Sequence, residues 1–262
     1  MVHEYTENEN RIVEYYDVAS NWHQWSFMND GYVDLDQYGH PITTDGLELS
    51  DKYRPWRYQA QLYKKCLDCA GVATNASLGT LLDLSCGKGG GLSFIKDHYQ
   101  FEKLVGVDLN PSHIDVCKSS VPDVHFLTAS ATSVPLQDNC IDFITTVEAV
   151  GYYDPIDSYL KEVHRLLMPG GVLVQAGAIP TGGEKITSEQ FSMVIDRYKH
   201  FGLELRSSHD ITKNVRTACA ISKYVLLDLD PSGHYFRCLL SDEEEFINNI
   251  RDYFVLVFAK DN

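Results

Sequence analysis

The sequence contains no apolar run approaching the length of a membrane-spanning helix, so a helical membrane protein is not expected. Basic residues are scarce: 22 Lys and Arg stand against 37 Asp and Glu, for a formal charge of −15. No stretch gathers the basic residues into a patch, and a field of that sign repels phosphate backbones, which argues against a nucleic-acid partner. Small, neutral or apolar substrates suit this balance better. A disulfide framework is also missing, because the seven cysteines are scattered and odd in number, as reduced thiols are. Cys66-Leu67-Asp68-Cys69 has the spacing of a metal or redox pair, but it falls in a predicted helix with no second pair, and ordinary buried cysteines are the expectation. The acidic, polar start from Met1 to Asn10 is unlike a signal or transit peptide, which leaves a cytoplasmic address as the default. Repeats and low-complexity segments are absent.

What is present suits one α/β domain with a full core, given 262 residues and a hydrophobic share of 44%. The chain is arranged around Leu81-Leu82-Asp83-Leu84-Ser85-Cys86-Gly87-Lys88-Gly89-Gly90-Gly91. An apolar strand passes there into a glycine turn and then into the helical Leu92-Ser93-Phe94-Ile95-Lys96. Glycines at such a turn let the backbone come close to a bound molecule. Val105-Gly106-Val107-Asp108-Leu109 is a second apolar strand ending in a carboxylate. Asp108 lies roughly 20 residues past the glycines, where a doubly wound fold places the acid that binds ribose hydroxyls. Turn and acid together predict a nucleoside-containing ligand over the carboxyl ends of two parallel strands.

Alternating elements surround this pair. Strands are predicted at 80–85, 103–108, 124–128, 141–147 and 172–176, with helices at about 90–99, 111–119 and 156–167 between them. Met168-Pro169-Gly170-Gly171 ends the last of these helices. Alternation at this spacing implies right-handed crossovers and a parallel sheet. A helix at about 187–200, a strand at 203–208, helical stretches at about 215–228 and 241–250, and a closing strand at 253–260 complete the pattern. Residues 1–77 read as helices and loops. Trp22, Trp25 and Phe27 are either core or a lid over the ligand end of the sheet.

The glycine turn, Gly106-Val107-Asp108-Leu109-Asn110, Val134-Pro135-Leu136-Gln137-Asp138-Asn139-Cys140-Ile141-Asp142 and Leu166-Leu167-Met168-Pro169-Gly170-Gly171 occur in an order that resembles the motif series of class I S-adenosylmethionine-dependent methyltransferases. Bacterial natural-product and lipid O-methyltransferases of the phthiotriol dimycocerosate type are similar, firmly over 78–178 and faintly beyond. The resemblance implies a Rossmann-like, doubly wound α/β sheet of seven strands with the last one antiparallel. It also implies one domain over 1–262, with a helical lid (1–77), a cofactor-binding core (78–178) and substrate-side helices and final strands (179–262). S-adenosylmethionine is the implied cofactor, held by Asp83, Ser85, Cys86, Gly87, Gly89, Asp108, Leu109, Ser130, Ala131 and Val147. In this scheme Asp83 organises the turn or receives the ammonium through water, Asp108 accepts both ribose hydroxyls, and Leu109 packs on the adenine. A dinucleotide dehydrogenase fits less well, because its third glycine would fall at Leu92.

Three departures bear on mechanism. Ser130 stands where relatives carry the Asp that accepts the adenine amino group. Gly151-Tyr152-Tyr153 follows Val147-Glu148 where many relatives carry a His, and Gly177 occupies a position that in some is Asp. Both usual general-base positions are therefore vacant. Glu148 is the foremost acidic candidate, with Tyr152, Tyr153 and His23 beside it and His209 further off; His164 reads as structural. Methyl transfer to the oxygen of a small molecule in secondary metabolism is the leading expectation. Cyclisation, rearrangement or elimination in the same fold, with the methyl group unused, is the alternative. A small-molecule acceptor is the expected partner, with self-association left open.

Overall fold

The computed structural model describes residues 6, 7, 9–11, 13, 27–42, 52–179, 185–229 and 252–261. Seven strands form one sheet: β1 (Ser77–Leu84), β2 (Gln100–Asp108), β3 (His125–Thr128), β4 (Ile141–Val147), β5 (Leu167–Ala178), β6 (Leu203–Asp210) and β7 (Tyr253–Lys260). Their order is β3-β2-β1-β4-β5-β7-β6, and β7 alone runs antiparallel to its neighbours. The helices are α1 (Arg57–Cys69), α2 (Gly90–His98), α3 (Pro111–Ser120), α4 (Ile156–Leu166), α5 (Ser188–His200) and α6 (Thr212–Leu229). The closing strand read from the sequence at 253–260 is β7, and the expected antiparallel insertion is present.

The sheet is covered on both faces, and strand alternation decides which side chain goes where. Leu81, Leu104, Val255 and Val257 pack with α1, α2, α3 and α6 on one side. Leu82, Leu84, Val105, Val107, Leu256 and Phe258 pack with α4 and α5 on the other. Local chemistry fixes the helix starts. Pro111 opens α3, whose N-cap Asn110 accepts the Ser112 N–H at 2.8 Å. A reciprocal capping box joins Thr187 and Gln190 at the start of α5.

Two expectations about elements change. The strand predicted at 172–176 begins earlier, at Leu167, and runs through the Pro-Gly-Gly that was read as a break. Leu167 pairs with Ile141 and Val172 with Phe143, so the extra residues form a bulge, with Gly170 at φ 75°. Within the expected lid, α1 belongs to the core: Leu62, Cys66 and Leu67 are fully buried. Phe27 joins them, its ring 6.2–6.4 Å from those of Tyr53, Trp56 and Tyr63, which is the core alternative for that residue. Cys66 sits inside α1 with its thiol pushed well up by burial, as an inert buried cysteine does. Trp22, His23, Trp25 and the helix predicted at about 241–250 lie outside the described residues.

Candidate functional site

Between β1 and β4 the strand order reverses, and ligands in open α/β sheets bind at the carboxyl ends flanking such a point. A cleft of about 840 Å³, counting its open mouth, lies there. On its cofactor side the β1 turn is folded so that it needs glycine. Gly87 has φ 53°, and a Cβ there would meet Met28 Sδ at 3.1 Å. Gly89 has φ 81°, and a Cβ would meet Cys117 Sγ at 2.9 Å. Both are left-handed positions that side chains disfavour. Ser85 precedes them at φ 62° and shares a 2.8 Å hydrogen bond with the Tyr153 hydroxyl.

Asp108, at the end of β2, borders the same cleft. Its Oδ2 accepts the Gly87 N–H at 2.8 Å and its Oδ1 the Asn110 N–H at 2.9 Å, while His113 Nδ1 lies 3.3 Å from Oδ1. A carboxylate offers roughly four acceptor sites. Two go to backbone N–H groups and a third faces His113, which leaves acceptor capacity on Oδ2 for a ribose hydroxyl. Leu109, Ser130, Ala131 and Val147 line the cleft beyond Asp108. The Ser130 hydroxyl is turned to Thr132 Oγ1 at 2.9 Å. Cys86 is buried beside a second, smaller cavity lined also by Phe27, Asn29, Tyr63 and Gly91.

Asp83 borders neither cavity. It shares the face of β1 that carries Leu81, and there it accepts the Thr145 hydroxyl at 2.8 Å and the Tyr63 hydroxyl at 3.3 Å. It ties α1 to β4 beneath the turn, and burial pushes its carboxyl up to about 7. Tyr63 also lies over Gly91, where a Cβ would sit 2.1 Å from the ring.

At the other end of the cleft Glu148 follows β4 with φ 57°. Its Oε1 accepts the Asp30 backbone N–H at 2.9 Å and the Tyr253 hydroxyl. Burial first, and then the neighbouring Asp30 charge, push its carboxyl well up. Asp30 is itself raised to about 6 by burial. The two tyrosine candidates separate here. Tyr152 is 46% exposed at the mouth, whereas Tyr153 is stacked on Tyr159 at 4.5 Å with its phenol pushed up by burial. Tyr153 also lines the cleft, and its hydroxyl is engaged with Ser85. His209 lies on β6 with Nε2 3.1 Å from Ser207 Oγ, outside the lining of the cleft. His164, on α4, accepts Lys260 Nζ at 2.7 Å through its backbone carbonyl.

Sequence reasoning missed Met28, Asp30, Tyr63, His113 and Tyr253. His113 carried a local signal, since the first turn of α3 returns it to Asp108. The others reach the site across long sequence separations that no local pattern records.

Residues 82–175 match the family described as "Methyltransferase domain". The chain is 32% identical over 160 residues to the phthiotriol/phenolphthiotriol dimycocerosates methyltransferase of Mycobacterium tuberculosis, covering 60% of this chain and 53% of that protein. It is 30% identical over 156 residues to the fatty-acid O-methyltransferase of Mycolicibacterium smegmatis, covering 59% and 53%. The chain thus spans about half the length of the curated relatives it matches. Among solved structures, the geranyl diphosphate C-methyltransferase of Streptomyces coelicolor superposes with a TM-score of 0.68 at 17% identity, over 98% of this chain and 100% of that one. The [4+2]-cyclase SpnF does so with the same score and identity, over 97% and 96%. These likenesses concern the fold, which serves both chemistries. The methyl donor of the methyltransferases, S-adenosylmethionine, fits the residues present: a glycine turn whose Gly87 lines the cleft, and the Asp108 carboxylate with acceptor capacity left on Oδ2. Residues 82–175 thus resemble a methyltransferase domain, and the seven-stranded sheet that carries them has the fold of the superposed C-methyltransferase and cyclase.

Proposed function

We propose that the protein transfers a methyl group from S-adenosylmethionine to a hydroxyl oxygen of a small molecule, with Glu148 as the proton acceptor. The observation that supports this reading is a half-buried carboxyl lining the same cleft as Asp108, held on one oxygen by the Asp30 N–H and the Tyr253 hydroxyl. The cofactor supplies an electrophilic sulfonium methyl. Gly87 and Gly89 admit the amino-acid end of the cofactor to the turn, and Asp108 fixes the ribose. Ser130, Ala131 and Leu109 border the adenine, and Val147 lies between the two ends. Glu148 presents Oε2 to the acceptor, because Oε1 already takes two donors. A base matters for a hydroxyl, whose proton must leave, and less for a carboxylate that is already anionic. Tyr152 closes the mouth on the acceptor side.

The matched relatives act, by their names, on a phthiotriol and on a fatty acid, so apolar oxygen acceptors are the class to try first. Incubation with methyl-labelled cofactor and a panel of long-chain alcohols, phenols and fatty acids tests the reading. Label in a methyl ether is the supporting result. A product of unchanged formula would instead indicate cyclisation or rearrangement, and label on nitrogen or carbon would overturn the oxygen assignment.

A further inference from the structure

Four carboxyls line the cleft: Asp108 at the end of β2, Glu148 after β4, Asp154 ahead of α4, and Glu9 from the amino-terminal segment. Among the described lining residues, His113 alone has a side chain that can take up positive charge, and its Nδ1 faces Asp108 at 3.3 Å. Arg197 lines an adjoining groove, where its Nε donates to Asp157 at 2.8 Å. Glu9 is fixed by a capping box: the Thr6 N–H donates to its Oε2 at 2.9 Å, and its own N–H donates to Thr6 Oγ1 at 3.2 Å. Glu9 and Val13, four residues apart on one helix face, both reach the cleft. The stretch they belong to has the same sign, since residues 1–51 hold 11 Asp and Glu and, of Lys and Arg, only Arg11.

Hydrogen bonding points the same way. Oε1 of Glu148 takes the Asp30 N–H and the Tyr253 hydroxyl, and among the described residues no hydrogen bond reaches Oε2. A hydroxyl can donate to that oxygen. A carboxylate only accepts, and would set two anions side by side.

Building on the assignment of Glu148 as proton acceptor, we infer that the cleft selects its acceptor by charge: it takes hydroxyl compounds that are neutral or carry an amine and rejects carboxylates, with Glu9 and Asp154 setting the specificity together with Glu148. A concave site lined by one sign of charge focuses its field on whatever enters. Like charges brought together there oppose binding, which serves specificity more than affinity. Asp154 is exposed and Glu9 half-buried, so salt screens their share, whereas Glu148 acts at contact. Within the panel of alcohols, phenols and fatty acids, the alcohols and phenols are therefore the substrates and the fatty acids are not. The same field suits the cationic sulfonium of the cofactor.

The filter is read from binding, with decanol, decylamine and decanoate as probes of one chain length and three charges. Each is titrated calorimetrically into the protein holding S-adenosylhomocysteine, with a chelator present, at about 20 mM and about 300 mM salt. Decylamine binds at least as tightly as decanol, and decanoate at least about tenfold more weakly than decanol at low salt. The gap narrows at high salt, and it narrows at low salt in the double variant Glu9→Gln, Asp154→Asn. Gln serves in a capping box as Glu does, so the helix start is kept. Decanoate binding as tightly as decanol at low salt overturns the filter. So does a gap that salt or the double variant leaves unchanged, or failure of decanol to bind. Methyl-labelled cofactor separates the filter from the reaction. Label in the methyl ester of decanoate overturns the filter and leaves methyl transfer to oxygen standing. The charge order without label in any methyl ether from the alcohols and phenols overturns transfer to a hydroxyl and leaves the filter standing.

Discussion

The sheet carries a polar cluster at each end, and the two are built on opposite terms. At the amino ends of the strands, Arg165 on α4 donates to both oxygens of Glu162, at 2.7 and 2.8 Å, and to Asp138 at 2.7 Å. It also reaches the carbonyls of Leu136 and Val134, at 2.8 and 2.9 Å, and Glu162 accepts the Val134 N–H. Every charge there has an opposite partner, and the loop before β4 is tied to α4. At the carboxyl ends, Glu148 takes the Asp30 backbone N–H and the Tyr253 hydroxyl on one oxygen, with no described cation against its carboxyl. The first arrangement specifies a structure, because a satisfied network rigidifies what it joins. The second costs stability, and perturbed acids of that kind gather at functional sites. Burial of charge therefore distinguishes scaffold from site only when its partners are counted.

This contrast is most directly broken at Glu148. Replacement by Gln keeps the size and removes the proton acceptor, and it should lower turnover by about 10²–10⁴-fold. Cofactor affinity should hold, as checked by single-turnover methyl transfer beside calorimetric titration. Unaltered turnover would place Glu148 with the scaffold.

Asp83 tests the cost side. Its folded-state value of about 7 lies above the ordinary 3.8, so the folded protein binds the extra proton and stability falls as pH rises from about 4 to about 7. The fall is worth up to roughly 4 kcal/mol. Asp83→Asn should remove that slope, and urea denaturation of both proteins at several pH values in the window measures the difference. An equally steep slope in the variant would mean that Asp83 ionises freely in the fold.

Arg165→Ala should destabilise by about 2–3 kcal/mol, below the range of about 3–5 for breaking a fully buried pair, because the Arg165 side chain is 30% exposed. Turnover at a temperature where both proteins are folded should not change. A loss of turnover out of proportion to stability would show that the scaffold end reaches the site.

Cofactor contacts give the smaller effects. Asp108→Ala should weaken S-adenosylmethionine by about 1.5–3 kcal/mol, the range for hydrogen bonds to a charged group. A folded variant with unchanged affinity would move the ribose elsewhere. Ser130→Asp should tighten the cofactor by about 1 kcal/mol or less, since a charged acceptor is added where Ser130 now turns to Thr132. No gain would show that the adenine is held from another side.

Much of the sheet was legible because apolar runs and their breakers coincide with real strand ends. β4 and β7 lie where the sequence put them. β5 was read short, because Met168-Pro169-Gly170-Gly171 carries turn residues that here form a bulge inside the strand. The closeness of Asp108 to the glycine turn was legible for a local reason: the acid and the glycines sit at the ends of adjacent parallel strands, β1 and β2. Asp83 could have been read further, since alternation along β1 puts it on the face of Leu81, toward α1. The contact of the Asp30 backbone N–H with Glu148 left no trace in the sequence, because it joins residues 118 apart.

The direction of β7 also sets an order of assembly. Antiparallel to its neighbours, it starts beside Glu148, which Tyr253 touches, and ends beside α4, where Lys260 donates to the carbonyls of His164 and Leu167. One strand thus fastens both ends of the sheet, and it is made after all the others. A nascent chain that has delivered β1 to β6 has its glycine turn and Asp108, yet Glu148 still waits for a phenol 105 residues downstream. During synthesis the Asp108 side of the cleft has all its residues before the Glu148 side does.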